Sequence, residues 1–161
     1  MKPIVNLDQL DFSRDLKKGE RYGARIAPVA ALVGARMLGY NVTVVEPGKR
    51  AFPFHCHHAN EEMFFVLQGS GILRYGAEEF AVRTGDFIGC PPGGKDTAHQ
   101  LINTGTVELR YLAVSTAVGT EVCEYPDSGK FSASSGETPG DDAFRHVGRT
   151  SDSVDYWQDE D

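Results

Sequence analysis

Glu62-Met63-Phe64-Phe65-Val66-Leu67-Gln68-Gly69-Ser70-Gly71-Ile72-Leu73-Arg74-Tyr75 is the stretch on which the fold turns. Two short β-rich runs flank a Gly-Ser-Gly turn, and neither carries the 3.6-residue apolar repeat of an amphipathic helix. The pattern continues outward on both sides. Upstream, Tyr40-Asn41-Val42-Thr43-Val44-Val45-Glu46 alternates and is β-branched. Downstream, Gly76-Ala77 leads into Glu79 to Val82, followed by Phe87-Ile88, Thr97 to Asn103 and Val107 to Ser115. Short strands parted by glycine turns predict an all-β sandwich or barrel. Only Pro28 to Met37 has helical appeal; Val29, Val33 and Gly34 weaken it, so it is read as a strand or an irregular segment.

The run Met63 to Leu67 is apolar on both faces, so both faces should be covered. In a small barrel one face looks inward. The other is expected to be covered either by residues 1–40 or by a second copy of the chain, a homodimer. The chain divides into an N-terminal segment packing on the barrel (1–39), a barrel core (40–123) and an acidic, loop-rich C-terminal tail (124–161). Tyr125-Pro126-Asp127-Ser128 suits a type I turn. Residues 132–142 read as a solvated linker, and Tyr156-Trp157 as an aromatic pair that docks on the body.

A chain of 161 residues with 40% apolar and 24% charged side chains is one globular domain. Its net charge of −7 lies wholly in residues 124–161, which hold 10 acidic and 3 basic side chains. A neutral body with an acidic tail offers no basic surface to a phosphate backbone, so no nucleic-acid partner is expected. No apolar stretch is long enough to span a membrane, and Met1 to Asn6 run into Asp8 and Asp11 without a signal-like apolar core. Cys56, Cys90 and Cys123 are odd in number and lack Cys-x-x-Cys spacing. Together these features predict a cytoplasmic chain.

The chemistry gathers around His55-Cys56-His57. On a strand, alternate side chains share a face, so both imidazoles point the same way. Glu62 opens the next strand and could return to that face, and His99 sits on the distant strand Thr97 to Asn103. Three imidazoles and a carboxylate inside a barrel suit one divalent transition metal, with positions left for water or substrate. Cys56 points away by alternation and reads as a small buried hydrophobe, while His58 and His146 read as surface residues. Two decoys fall away. Gly89-x-x-x-x-Gly94-Lys95 is followed by Asp96 where a phosphate loop needs Ser or Thr, and Asn41-Val42-Thr43 lies within a strand.

In these residues the chain resembles the cupin superfamily. Pro47-Gly48, His55-Cys56-His57, Glu62 and Gly69 match its first motif, and counting back from Gly69 selects Glu62 rather than Glu61. Gly85, Pro91, Gly93, His99 and Asn103 match its second, with a gap between Gly93 and His99 three residues longer than usual. The resemblance implies a single double-stranded β-helix (jelly-roll) barrel of the RmlC-like type. It also implies a metal (Mn, Fe, Zn or Ni) held by His55, His57, Glu62 and His99. Gly69 and Gly85 take turn positions, Pro91 and Pro92 stiffen the approach to His99, and Asn103 satisfies backbone at a strand end.

The resemblance suggests a small polar metabolite bound in the barrel mouth. The leading expectation is a sugar or sugar-phosphate isomerase-like enzyme using the metal as a Lewis acid. The alternatives are an Fe(II) dioxygenase-type cupin and a non-catalytic small-molecule binding or sensing cupin. No catalytic residue is assigned. Tyr111, Arg110 and Phe54 are candidates for the mouth, and alternation turns Glu61 away from it.

Overall fold

A computed structural model describes residues 2–136 and 143–160. Its described residues form β1 (Arg14–Lys18), β2 (Tyr22–Pro28), β3 (Leu38–Val45), β4 (Cys56–His57), β5 (Glu62–Gln68), β6 (Ser70–Tyr75) and β7 (Glu78–Arg83). These are followed by β8 (Phe87–Cys90), β9 (His99–Ile102), β10 (Leu109–Thr116), β11 (Thr120–Tyr125), β12 (Lys130–Ser135) and β13 (Phe144–Arg149). The all-β reading holds. Between β2 and β3 the segment with helical appeal makes only a short 3-10 turn, Ala30–Val33, closed by Gly34 in the left-handed region. No helix among the described residues is long and apolar enough to cross a membrane.

Two antiparallel layers enclose the core. One is a six-stranded sheet in the order β1-β2-β3-β10-β5-β8. The other is built from a three-stranded sheet, β7-β6-β9, and a four-stranded one, β13-β12-β11-β4. These two smaller sheets meet edge to edge through one bridge, in which the His55 amide donates to the His99 carbonyl at 3.2 Å and the His99 amide donates to the His55 carbonyl at 2.8 Å. Between the layers lie Phe64, Val66, Ile88, Leu109 and Tyr111 from one side and Leu73 and Leu101 from the other. Strand periodicity explains the selection: inward positions of β5 and β10 alternate with Met63, Phe65, Leu67, Leu112 and Val114, which face outward.

Turn chemistry matches the motif glycines. Gly69, between β5 and β6, has φ 85°, and a Cβ there would stand 2.5 Å from the Glu108 carbonyl oxygen. Only glycine suits such a place. Asn103 follows β9 and is fully buried; its amide donates to the Val45 and Val107 carbonyls at 2.9 and 2.8 Å and accepts from the Gly105 amide at 2.9 Å. That is the strand-end role expected of it.

The outer face of the large sheet is covered unevenly. Strands β1 and β2 add beside β3 in the plane of the sheet instead of lying over β5. Phe12 sits by the outward-facing Arg110, and the outward Val42 and Val44 are buried. At the other end Phe65 and Phe87 pack ring to ring at 4.4 Å, yet Phe87 remains 74% exposed.

The C-terminal region departs from expectation. Residues 130–135 and 144–149 are strands rather than loops, and β11 runs across the boundary placed at 123. A serine-rich composition discouraged that reading, but a ladder is made by the main chain. Here the polar side chains join it: the Thr120 and Ser135 hydroxyls lie 3.0 Å apart, and those of Tyr125 and Ser132 3.3 Å apart. Part of the expected linker, residues 137–142, lies outside the described residues. Tyr156 and Trp157 do not dock on the body. They pack edge to face against each other at 4.8 Å and stay 82% and 72% exposed.

Candidate metal centre

Four side chains from both layers converge at one end of the barrel. His55 and His57 come from β4 and its approach, His99 from the start of β9, and Glu62 from the start of β5 in the opposite sheet. One ligand-type atom from each lies within 4.8 Å of those of the other three. The Glu62 Oε2 atom is the hub: the Nε2 atoms of His99, His57 and His55 stand 3.0, 3.4 and 3.8 Å from it.

Each ring is held by its other nitrogen. His55 Nδ1 lies 2.8 Å from the Pro53 carbonyl and His99 Nδ1 lies 3.1 Å from the Thr97 carbonyl, so each donates to a backbone oxygen two residues upstream. His57 Nδ1 instead meets side chains of β11, Glu121 Oε2 at 3.3 Å and Cys123 Sγ at 3.2 Å. With each Nδ1 engaged in this way, the three Nε2 atoms turn toward a common centre. His57 Nε2 is buried and has no hydrogen-bond partner. A buried nitrogen left bare in this way is costly unless something fills the centre, and a divalent cation meets that need. The donor set, three imidazoles and a carboxylate, therefore fits the metal that the barrel family implies.

Electrostatics agree with the geometry. Burial, and after it the neighbouring His99, pull the His55 imidazolium down to about 4, so this ring is neutral at pH 7. Burial favours the neutral form of Glu62, but the His57 and His99 imidazoles beside it outweigh burial and hold the carboxyl well below its usual range. Burial also works against charge on His57, while Cys123 and Glu62 beside it push its pKa up.

The structure brings together all four residues singled out from the sequence, and it also shows how their neighbours are arranged. Glu61 is exposed, Cys56 is buried with Phe54 and Ala98, and His58 and His146 are on the surface. The three mouth candidates stand elsewhere. Phe54 lies beneath the Arg74 guanidinium at 4.1 Å, Arg110 faces outward beside Glu108, and Tyr111 sits deeper in the core, behind Phe64. Phe64 itself walls the site, 5.6 Å from the His99 ring.

What residue-by-residue reading missed is β11. Glu121, Cys123 and Tyr125 alternate on one face of that strand, the first two touching His57 and the third stacking on His55 with ring centroids 6.2 Å apart. The period-2 spacing was present in the sequence, but the strand lay where a tail seemed to begin.

Comparison with known proteins gives the class. Residues 41–115, which include all four converging side chains, match the family model described as the cupin domain. This stretch is thus similar to a cupin domain, and the barrel around it has the fold of the cupin superfamily. An uncharacterized protein of Methanocaldococcus jannaschii is 38% identical over 61 residues, a match covering 38% of this chain and 46% of that protein. This chain is similar to a solved structure from Acidithiobacillus ferrooxidans named as a sugar phosphate isomerase, with a TM-score of 0.71 and 26% identity over 82% of this chain and 80% of that one. A cupin from Silicibacter pomeroyi, also named a sugar phosphate isomerase, shares the fold over 94% of this chain and 95% of its own, with a TM-score of 0.78 and 22% identity.

Proposed function

We propose that this protein is a metal-dependent cupin that binds a small polar metabolite at the barrel mouth, with sugar or sugar-phosphate isomerisation as its reaction. His55, His57, Glu62 and His99 hold one divalent transition metal (Mn, Fe, Zn or Ni). The observation that carries the reading is the convergence of three Nε2 atoms on one carboxylate, one of them buried without a partner. When bound, such an ion supplies Lewis-acid polarisation of substrate oxygens. The chain's own residues supply the rest. Neutral His55 and ionised Glu62 present donors in the state a cation requires. Phe64 and Tyr125 wall the site with aromatic rings and keep water from its flanks. The name borne by the Acidithiobacillus ferrooxidans relative supports isomerisation over the other chemistries that this fold hosts.

Elemental analysis of protein purified without chelator or nickel resin tests the metal. About one equivalent of divalent ion per chain is expected, and none in the double variant His55→Ala, His57→Ala. Full occupancy in that variant would sink the assignment. Aldose–ketose interconversion by the loaded protein, assayed across a panel of sugars and sugar phosphates, tests the reaction; loss of activity on chelation and return on metal addition are expected. The three cysteines are free thiols, two of them buried, in keeping with a reducing cytoplasmic setting. The half-covered outer face around Phe65 and Phe87 supports a homodimer through β5 and β8.

A further inference from the structure

His55 and His99 are oriented by backbone carbonyls of their own loops, but His57 is oriented by a strand outside the 41–115 match. The partner is Glu121, a residue only 9% exposed. Its Oε1 accepts from the amides of His58 and Ala59 at 3.0 Å each and from that of Val122 at 2.8 Å. Its Oε2 accepts from the Asn60 amide at 2.8 Å and from Asn60 Nδ2 at 2.5 Å, and faces His57 Nδ1 at 3.3 Å. Burial favours protonation of Glu121, but the Asn60 and Ala59 amides outweigh it and keep the pKa low. An anchored anion therefore faces His57 Nδ1, with the Cys123 sulfur, a weaker acceptor, beside it at 3.2 Å.

His57, Glu121 and Cys123 could be taken for a second ion site, since their ligand atoms also fall within 4.8 Å of one another. The hydrogen bonds decide against it. Both oxygens of the Glu121 carboxylate already accept from donors of residues 58–60 and 122, so neither is bare for an ion, while Oε2 still lies within reach of a proton on His57 Nδ1. His57 Nε2, moreover, faces the first centre.

We propose that Glu121 is a positioning residue. It accepts the Nδ1 proton of His57, fixes the ring with Nε2 toward the metal, and so makes metal affinity depend on the docking of β11 against β4. The proposal rests on the metal reading above and extends it to a residue beyond the cupin-domain match. Carboxylate partners of ligating imidazoles set tautomer and ring orientation, and their loss costs about 10–100-fold in metal affinity.

The test uses the full chain with zinc as the probe, in competition with a chromogenic chelator. Glu121→Gln should bind zinc about 10–100-fold more weakly than the parent, and Cys123→Ser, which keeps a weak acceptor, should stay within a few-fold. Glu121→Gln that keeps parental zinc affinity overturns the proposal. Because glutamine disturbs the amides of residues 58–60 and so puts the folding of the variant at risk, a second measurement uses only the parent. Nitrogen-15 spectra of its imidazoles should show a proton on His57 Nδ1 with or without zinc, and a bare Nδ1 overturns the proposal. A parent that takes up no more zinc than His55→Ala defeats the metal reading instead, and the Nδ1 proton still decides the role of Glu121.

Discussion

His55 enters a mostly enclosed site as a neutral ring, and that has a pH signature. Its pKa lies at about 4, below the ordinary 6.5, with burial the largest cause and His99 the next. A histidine whose folded pKa is depressed contributes stability that is present above its unfolded pKa and fades as pH falls toward the folded one. The metal-free protein should therefore lose thermal stability as pH drops from about 6.5 toward 5, and His55→Gln should flatten that slope. Glu62 does not confuse the window, since a lowered carboxylate pKa acts only below about 4.5. His57, with its raised pKa, acts above about 6.5. Thermal melts followed by circular dichroism in the presence of chelator would check this. Asn103 makes a second prediction at this scale. Asn103→Ala removes the donors of the Val45 and Val107 carbonyls in a fully buried place and should cost about 2–3 kcal/mol, read from denaturant melts.

Strands and turns were legible in proportion to how far their side chains had to commit to one face. β5 and β10 alternate in burial because one face meets the core, and β5 shows it even with apolar residues on both sides, while β3 is buried on both faces from Val42 to Val45. The turn after β5 was legible because its backbone excludes a side chain. Gly69→Ala should destabilise the protein by about 1–3 kcal/mol through left-handed strain, and more through the clash with the Glu108 carbonyl; the melting midpoint would report it. β12 and β13 were not legible. They pair by main-chain hydrogen bonds at a sheet edge, and serine or glycine there carries no mark of burial. The same limit hid Glu121. The metal-ligand spacing His55, His57, Glu62 and His99 can be read along the chain, whereas the partner of His57 arrives through a strand pairing of Cys123 with His57 that no local pattern announces.

For the whole molecule, the sequence posed a choice between the N-terminal segment and a second copy as cover for β5. The chain answers only part of it. Phe12 lies by Arg110, but Phe87 beside Phe65 is left 74% exposed at the far end of the sheet. If two copies meet there, Phe87→Glu should convert a dimer into a monomer without loss of zinc uptake, as read by light scattering after size-exclusion chromatography. A monomeric parent would discard the homodimer and leave the metal reading untouched. The exposed end of the chain bears on how all such experiments are done. Trp157, the single tryptophan, stands in water apart from the core, so its fluorescence has the red-shifted emission of a solvated indole even in the native protein. Excitation selective for that ring will be nearly blind to barrel unfolding, and the buried tyrosine at 111 is the chromophore whose near-ultraviolet signal follows it.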